Sequence, residues 1–177
     1  EKEALASLFE RVAREYDIHS YACRGYNSLT ALYEAGARLG GAFLSDDQES
    51  HILYFGDFDP SGDDMPRDIQ DRLRDWTRAP VTVHKIALTQ EQVAEYDIPP
   101  MMVKTSDTRA AKFVARYGMD CAELDALRPD VLEGIVRQAI EQFFDLSEFE
   151  RQEEIANEER ERWAEAMTLI RGTSEEG

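Results

Sequence analysis

The sequence is short of the side chains that cross-link chains or bind soft metals. Its 177 residues include two cysteines, Cys23 and Cys121, far apart and in no metal-type spacing. That excludes a disulfide scaffold or a zinc ribbon and fits two small apolar residues in a reducing compartment, the cytoplasm or nucleoid. The three histidines, His19, His51 and His84, share no ligand spacing and read as structural residues in or beside strands. No apolar run approaches the roughly 18 residues that a membrane span needs, and no signal peptide is visible. Basic residues are scarce too: 20 Lys and Arg stand against 37 Asp and Glu, a net charge of −17. Phosphate binding over a broad surface shows as basic excess, so a general nucleic-acid coat is excluded. Twelve of the acids but only four of the bases lie after residue 140, so a local basic groove remains open in the rest. No internal repeat or low-complexity linker interrupts the chain. It opens on Glu1 rather than Met, which predicts a piece of a longer protein.

What is present is a hydrophobic content of 42%, enough for a real core, arranged in alternating periods. Leu5, Leu8, Phe9, Val12 and Tyr16 form a helical stripe over residues 2 to 16, broken at Asp17. Ile18 to Cys23 reads as a short strand, and Leu29 to Leu39 as a second amphipathic helix stopped by Gly40-Gly41. Ile52 to Phe55 is an apolar strand. A helix from about Asp63 to Trp76 and a strand from Val81 to Leu88 follow, and Thr89-Gln90-Glu91-Gln92 reads as a capped short helix. Residues 99 to 108 are irregular. Arg109 to Tyr117 is helical and ends at Gly118, Cys121 to Leu127 makes a turn or short strand, and Pro129 opens a helix to about Phe144. Trp76, Phe113, Phe143, Phe144 and Phe149 fall at helical spacing and read as core. Ser147 to about Ile170 is one charged helix with a thin apolar stripe, Ile155, Trp163, Met167 and Ile170, suited to self-association. Strands alternating with helices at this rhythm predict an α/β fold with a mainly parallel sheet flanked by helices, and a helical C-terminal extension.

The most informative stretch is His51 to Asp64, HILYFGDFDPSGDD. Asp57 and Asp59 follow the strand one residue apart, so an extended chain points both carboxylates the same way. The carboxyl end of a strand is where open α/β sheets bind ligands. Two carboxylates converging there repel unless a cation lies between them, and all-oxygen ligands favour Mg²⁺, Mn²⁺ or Ca²⁺. Asp57, Asp59, Ser61, Gly62 and Asp68 also match positions of a calcium-binding loop, but such a loop follows a helix, and Pro60 and Asp64 fit it poorly. A haloacid-dehalogenase-type phosphotransferase also ends a strand with Asp-x-Asp. It wants Thr or Val two residues on, where Ser61 stands.

Gly56-Asp57-Phe58-Asp59-Pro60-Ser61-Gly62 resembles the Asp-x-Asp-Pro-x-Gly loop of the Toprim family, in the branch of the topoisomerase VI A subunit and the Toprim nucleases. Glu1-Lys2-Glu3-Ala4-Leu5 resembles the family's first element with its strand cut away and Glu1 in the glutamate position. Arg24-Gly25-Tyr26 resembles the glycine loop after the second strand. The resemblance implies a Rossmann-like Toprim core over residues 1 to 90, the C-terminal part of that domain over 91 to 146, and a charged helical extension over 147 to 177.

It implies Mg²⁺- or Mn²⁺-dependent DNA phosphodiester cleavage, with Glu1, Asp57 and Asp59 catalytic and Glu1, Asp57, Asp59 and Asp64 as metal ligands. Glu1 would be a further ligand or the group that moves a proton at the attacking or leaving oxygen. Asp63 and Asp64 also open a helix, where acids help the dipole. Arg24 and Lys104 are candidate phosphate contacts, with Arg109 and Lys112 nearby. Glu123 and Asp125 are outlying ligands or helix caps. Cleavage of the topoisomerase VI kind needs a tyrosine from a preceding winged-helix domain, and none is recognisable in this chain. Either that domain lies upstream, with an ATPase subunit as partner, or water is the nucleophile. A non-catalytic Toprim module that binds metal or protein is the third reading, and a homodimer is compatible with any of them.

Overall fold

The computed structural model describes residues 2–22, 50–76 and 80–174. The expected helix at 29–39 and Arg24-Gly25-Tyr26 lie outside the described residues, as does Glu1. The chain forms two compact units, Glu1–Ile140 and Glu141–Gly177.

The first unit is built on a βαβ element. Strand β1 (Ser50–Phe55) pairs in parallel with β2 (Val81–Ala87), with Ile52 opposite Val83 and Tyr54 opposite Lys85, and the register slips between Tyr54 and Phe55. Helix α2 (Pro60–Trp76) connects them, and α1 (Lys2–Glu15) precedes them. Met65, Ile69 and Leu73 of α2 are buried against Ile52, Tyr54, Val81 and Val83, the alternate residues of one sheet face. Phe55 turns to the other face and meets Phe9 of α1, with ring centroids 4.9 Å apart. Among the described residues, the edge of β2 away from β1 is met by one side chain. Gln70 of α2 donates to the Val81 carbonyl (2.5 Å) and accepts from the Val83 amide (2.9 Å), so its amide replaces a neighbouring strand.

Helix α2 starts at Pro60, three residues before the periodicity indicates, because its first turn is polar and carries no apolar signal. Two other helix ends share one sequence. Glu-Tyr-Asp-Ile closes α1 at residues 15–18 and α3 (Gln90–Glu95) at residues 95–98. In both, the aspartate is left-handed, Asp17 at φ 53° and Asp97 at φ 50°. The isoleucine amide then reaches back to the third-last carbonyl of the helix, Ile18 to Ala13 and Ile98 to Val93, each at 3.0 Å. This is the Schellman arrangement with Asp where glycine is usual. The other end of α3 is a capping box, Thr89 and Gln92 each binding the other's backbone amide.

Two expectations change here. Ile18 to Ala22 carry no regular structure rather than a strand. The stretch expected to be irregular contains β3 (Met101–Met102), which pairs antiparallel with β4 (Asp120–Cys121). Strands of two residues are too short to leave a period in the sequence. Among the described residues the fold is therefore mixed α/β, with a two-stranded parallel sheet between helices and a separate antiparallel ribbon. Helix α4 (Ala110–Tyr117) ends at Gly118, whose φ of 89° suits glycine. A short 3₁₀ turn (Leu124–Ala126) leads to α5 (Pro129–Phe143), which buries Leu132, Val136, Ala139 and Ile140.

The second unit contains α6 (Leu146–Ser174). Asp145 caps it, accepting from the Ser147 and Glu148 amides at 3.1 Å and from the Ser147 hydroxyl at 2.6 Å. Phe144 before the cap packs on Phe149 after it (centroids 5.1 Å), a hydrophobic staple. These two phenylalanines are half-buried and fix the helix entry rather than fill a core. Trp163 is 71% exposed.

Candidate functional site

The acidic loop begins where β1 stops. Pairing runs on for one residue, the Gly56 amide donating to Ala87 (2.7 Å) and the Leu88 amide to Gly56 (2.6 Å). The Tyr54 side chain fills the space a β-carbon on Gly56 would need. Phe58 then turns inward, 4% exposed, and bridges to Ala122 next to β4 through two backbone bonds of 2.8 and 2.9 Å. Its ring meets Phe113 and Tyr117 of α4 at 5.1 and 5.2 Å. With Phe58 anchored in the core, the aspartates on either side of it stay half-buried at the surface.

Each of those aspartates has a defined local partner. Asp57 accepts the Leu124 amide through Oδ1 at 2.9 Å, tying the loop to the 3₁₀ turn. Asp59 caps α2, its Oδ1 accepting the Gly62 amide at 2.6 Å, with Pro60 in the first helical position. Gly62 is buried at the point where α2 touches the loop. A β-carbon there would overlap the Asp57 carbonyl oxygen and lie 3.0 Å from its carbon.

The other candidates are placed as follows. Asp63, in the first turn of α2, accepts the Tyr117 hydroxyl at 3.1 Å. Burial and that carboxylate both raise the tyrosine's pKa. Asp64 is gripped through both oxygens by Arg67, at 2.8 and 2.9 Å, and Arg67 also holds Asp71. To reach a metal Asp64 would have to leave that ion pair. Lys104 is exposed at the turn before α4. It lies close enough to Cys121 for its charge to be felt there, as do Asp59, Asp120 and Glu123, while burial is the main cause raising the thiol's pKa. Glu123 is exposed, and Asp125 is half-buried in the 3₁₀ turn. Arg109 is paired with Asp107 at 2.7 and 2.8 Å. Glu1 and Arg24 are outside the described residues. Among those residues, no three of His, Cys, Asp and Glu converge as a metal-holding set.

The sequence reading missed Lys85. It lies on β2 opposite Tyr54, and with Val81 and Val83 it shares the alternation that α2 covers. Its ammonium reaches the acidic loop, 6.0 Å from the centre of the Phe58 ring. Burial lowers its pKa, while Asp63, Asp59 and Asp57, in that order, pull the other way. A signal was present in the sequence, since a lysine on the buried parity of a strand needs a partner for its charge.

No family model, curated protein or solved structure matches this chain. The loop offers hard oxygen donors at a strand end beside a helix N-terminus, where the peptide dipole favours negative charge. His51 and His84, on neighbouring strands, are a separate pair. Nδ1 of His51 lies 3.1 Å from Nε2 of His84, and burial followed by His51 lowers the His84 pKa.

Proposed function

We propose that this chain carries a metal-dependent DNA phosphodiester-cleaving site of the Toprim kind, in which Asp57 and Asp59 hold Mg²⁺ or Mn²⁺. The observation that carries the reading is the placement of both carboxylates at the carboxyl end of β1. Each commits one oxygen to a backbone hydrogen bond, Asp57 to the Leu124 amide and Asp59 to the Gly62 amide. These donors suit a hard cation. When bound, such an ion supplies charge neutralisation at the phosphate. Asp57 and Asp59 bind and orient it, and the bonds to Leu124 and Gly62 keep the two side chains from swinging away. Glu1 is assigned the proton at the attacking or leaving oxygen, and Lys104 and Arg24 the flanking phosphates. A nucleophile from an upstream tyrosine domain, working with an ATPase partner, is the topoisomerase form of the same reading.

A second reading is favoured by those same two hydrogen bonds. Asp57 and Asp59 would then be structural, a loop tie and a helix cap in a module that binds a protein partner. Incubation of the chain with supercoiled plasmid and Mn²⁺, beside Asp57→Ala and Asp59→Ala, separates the two. Nicking that both substitutions abolish supports the nuclease. Nicking that survives both removes the site from the reaction, and no nicking with any divalent ion leaves the structural module.

A further inference from the structure

We propose that Lys85 is the resident counter-cation of the acidic loop, balancing Asp57, Asp59 and Asp63 and thereby limiting how tightly the loop takes a divalent ion. The inference rests on the reading of Asp57 and Asp59 as metal-holding and adds what regulates that site. Asp57, Asp59 and Asp63 each act on Lys85 as opposite charges, and a lysine on the covered face of a strand needs such partners. The β1–β2 register puts Lys85 opposite Tyr54, the second-last residue of β1, on the face that α2 covers. From there its ammonium stands over the Phe58 ring, 6.0 Å from the ring centre. Phe58 lies between Asp57 and Asp59, so the cation is positioned against the loop by the same residue that anchors the loop.

The surroundings favour this placement. Asp63, the acid that acts most strongly on Lys85, is itself held by the Tyr117 hydroxyl. Arg116 lies 4.8 Å over the Tyr117 ring and acts on Lys85 as a like charge. A divalent ion held by Asp57 and Asp59 would share those carboxylates with the charge of Lys85. Like charges repel more strongly in a half-buried site than in water, so the lysine would lower the affinity for the ion.

The test is Mn²⁺ binding, followed by loss of the free-ion electron paramagnetic resonance signal, in the wild-type chain and in Lys85→Met, Lys85→Gln and Lys85→Arg. Removing the charge by Met or Gln is expected to tighten Mn²⁺ binding about tenfold or more, and Arg is expected to leave it near wild type. The rise in Tm on adding Mn²⁺ should be larger in the Met and Gln variants than in the wild type. The Gln variant keeps the test usable if Met disturbs folding. Unchanged or weaker Mn²⁺ binding in both overturns the role of Lys85 while leaving the metal site standing. Mn²⁺ binding that persists in Asp57→Asn and Asp59→Asn, or is absent from every variant, overturns the metal reading and this inference with it.

Discussion

An asparagine at position 59 would still present an oxygen to the Gly62 amide, because Asn caps a helix about as well as Asp. It would not present a charge. Asp59→Asn is therefore expected to hold thermal stability within a few tenths of a kcal/mol and to abolish Mn²⁺ binding. Asp59→Ala loses the cap as well and should cost about 1 kcal/mol in denaturant unfolding without metal. Equal stability loss in the two variants would mean that the charge, not the hydrogen bond, stabilises the helix start. Gly62 tests the same junction from the other side. Alanine gains up to about 1 kcal/mol in helix propensity, but its methyl would meet the Asp57 backbone, which has no flexible end to yield. Overpacking costs of about 1–3 kcal/mol exceed that gain, so Gly62→Ala should unfold at lower denaturant than the wild type. The Asp-x-Asp spacing was legible in the sequence. The contacts with Leu124 and Lys85 were not, because they join residues brought together only by the β1–β2 register and the bridge from Phe58 to Ala122.

At the scale of elements, what could be read from the sequence depended on length. Helices α4, α5 and α6 repeat their apolar positions over two turns or more, and their bounds fall within a residue or so of the periodic stretch except at the C-terminal end of α6. The ribbon of β3 and β4 has two residues a side and no period to detect. The caps were partly visible. Asp17 marked the end of α1, yet the repeated Glu-Tyr-Asp-Ile shows its meaning only when both copies place the aspartate in the left-handed region. A left-handed residue with a β-carbon is strained, and glycine is not. Asp97→Gly is accordingly expected to stabilise the chain by up to about 1 kcal/mol. Asp97→Asn serves as the control, since it removes the charge but keeps the β-carbon. A gain in the Asn variant as large as in the Gly variant would assign the effect to the net negative charge rather than to the backbone.

Charge acts on the whole molecule in two opposing ways. At −17 the folded chain repels itself, so acidification from neutral pH first relieves that repulsion. Against this stands an ion cluster joining α1 to α5. Arg11 grips Glu133 through two bonds, 2.7 and 3.1 Å, while Arg137 reaches both Glu15 and Glu133. The hydrogen bonds from Arg11 and then Arg137 hold the Glu133 carboxyl down at about 2 from its ordinary 4.5, and Arg137 lowers Glu15 as well. A carboxylate whose pKa is lower folded than unfolded binds fewer protons in the native state. Its stabilisation is present above 4.5 and is lost as pH falls from there toward 2. Stability should therefore rise gently on acidification toward about pH 5 and then fall. Glu133→Gln separates the two effects, because it removes the cluster's main acid and leaves the net charge at −16, one unit from the wild type. The variant should be less stable than the wild type at pH 6 and lose less on going to pH 3 in urea unfolding. These pairs are partly exposed, so salt should narrow the difference at pH 6. A variant that falls as steeply as the wild type below pH 4.5 would place the acid-labile contact elsewhere and reduce the α1–α5 cluster to surface decoration.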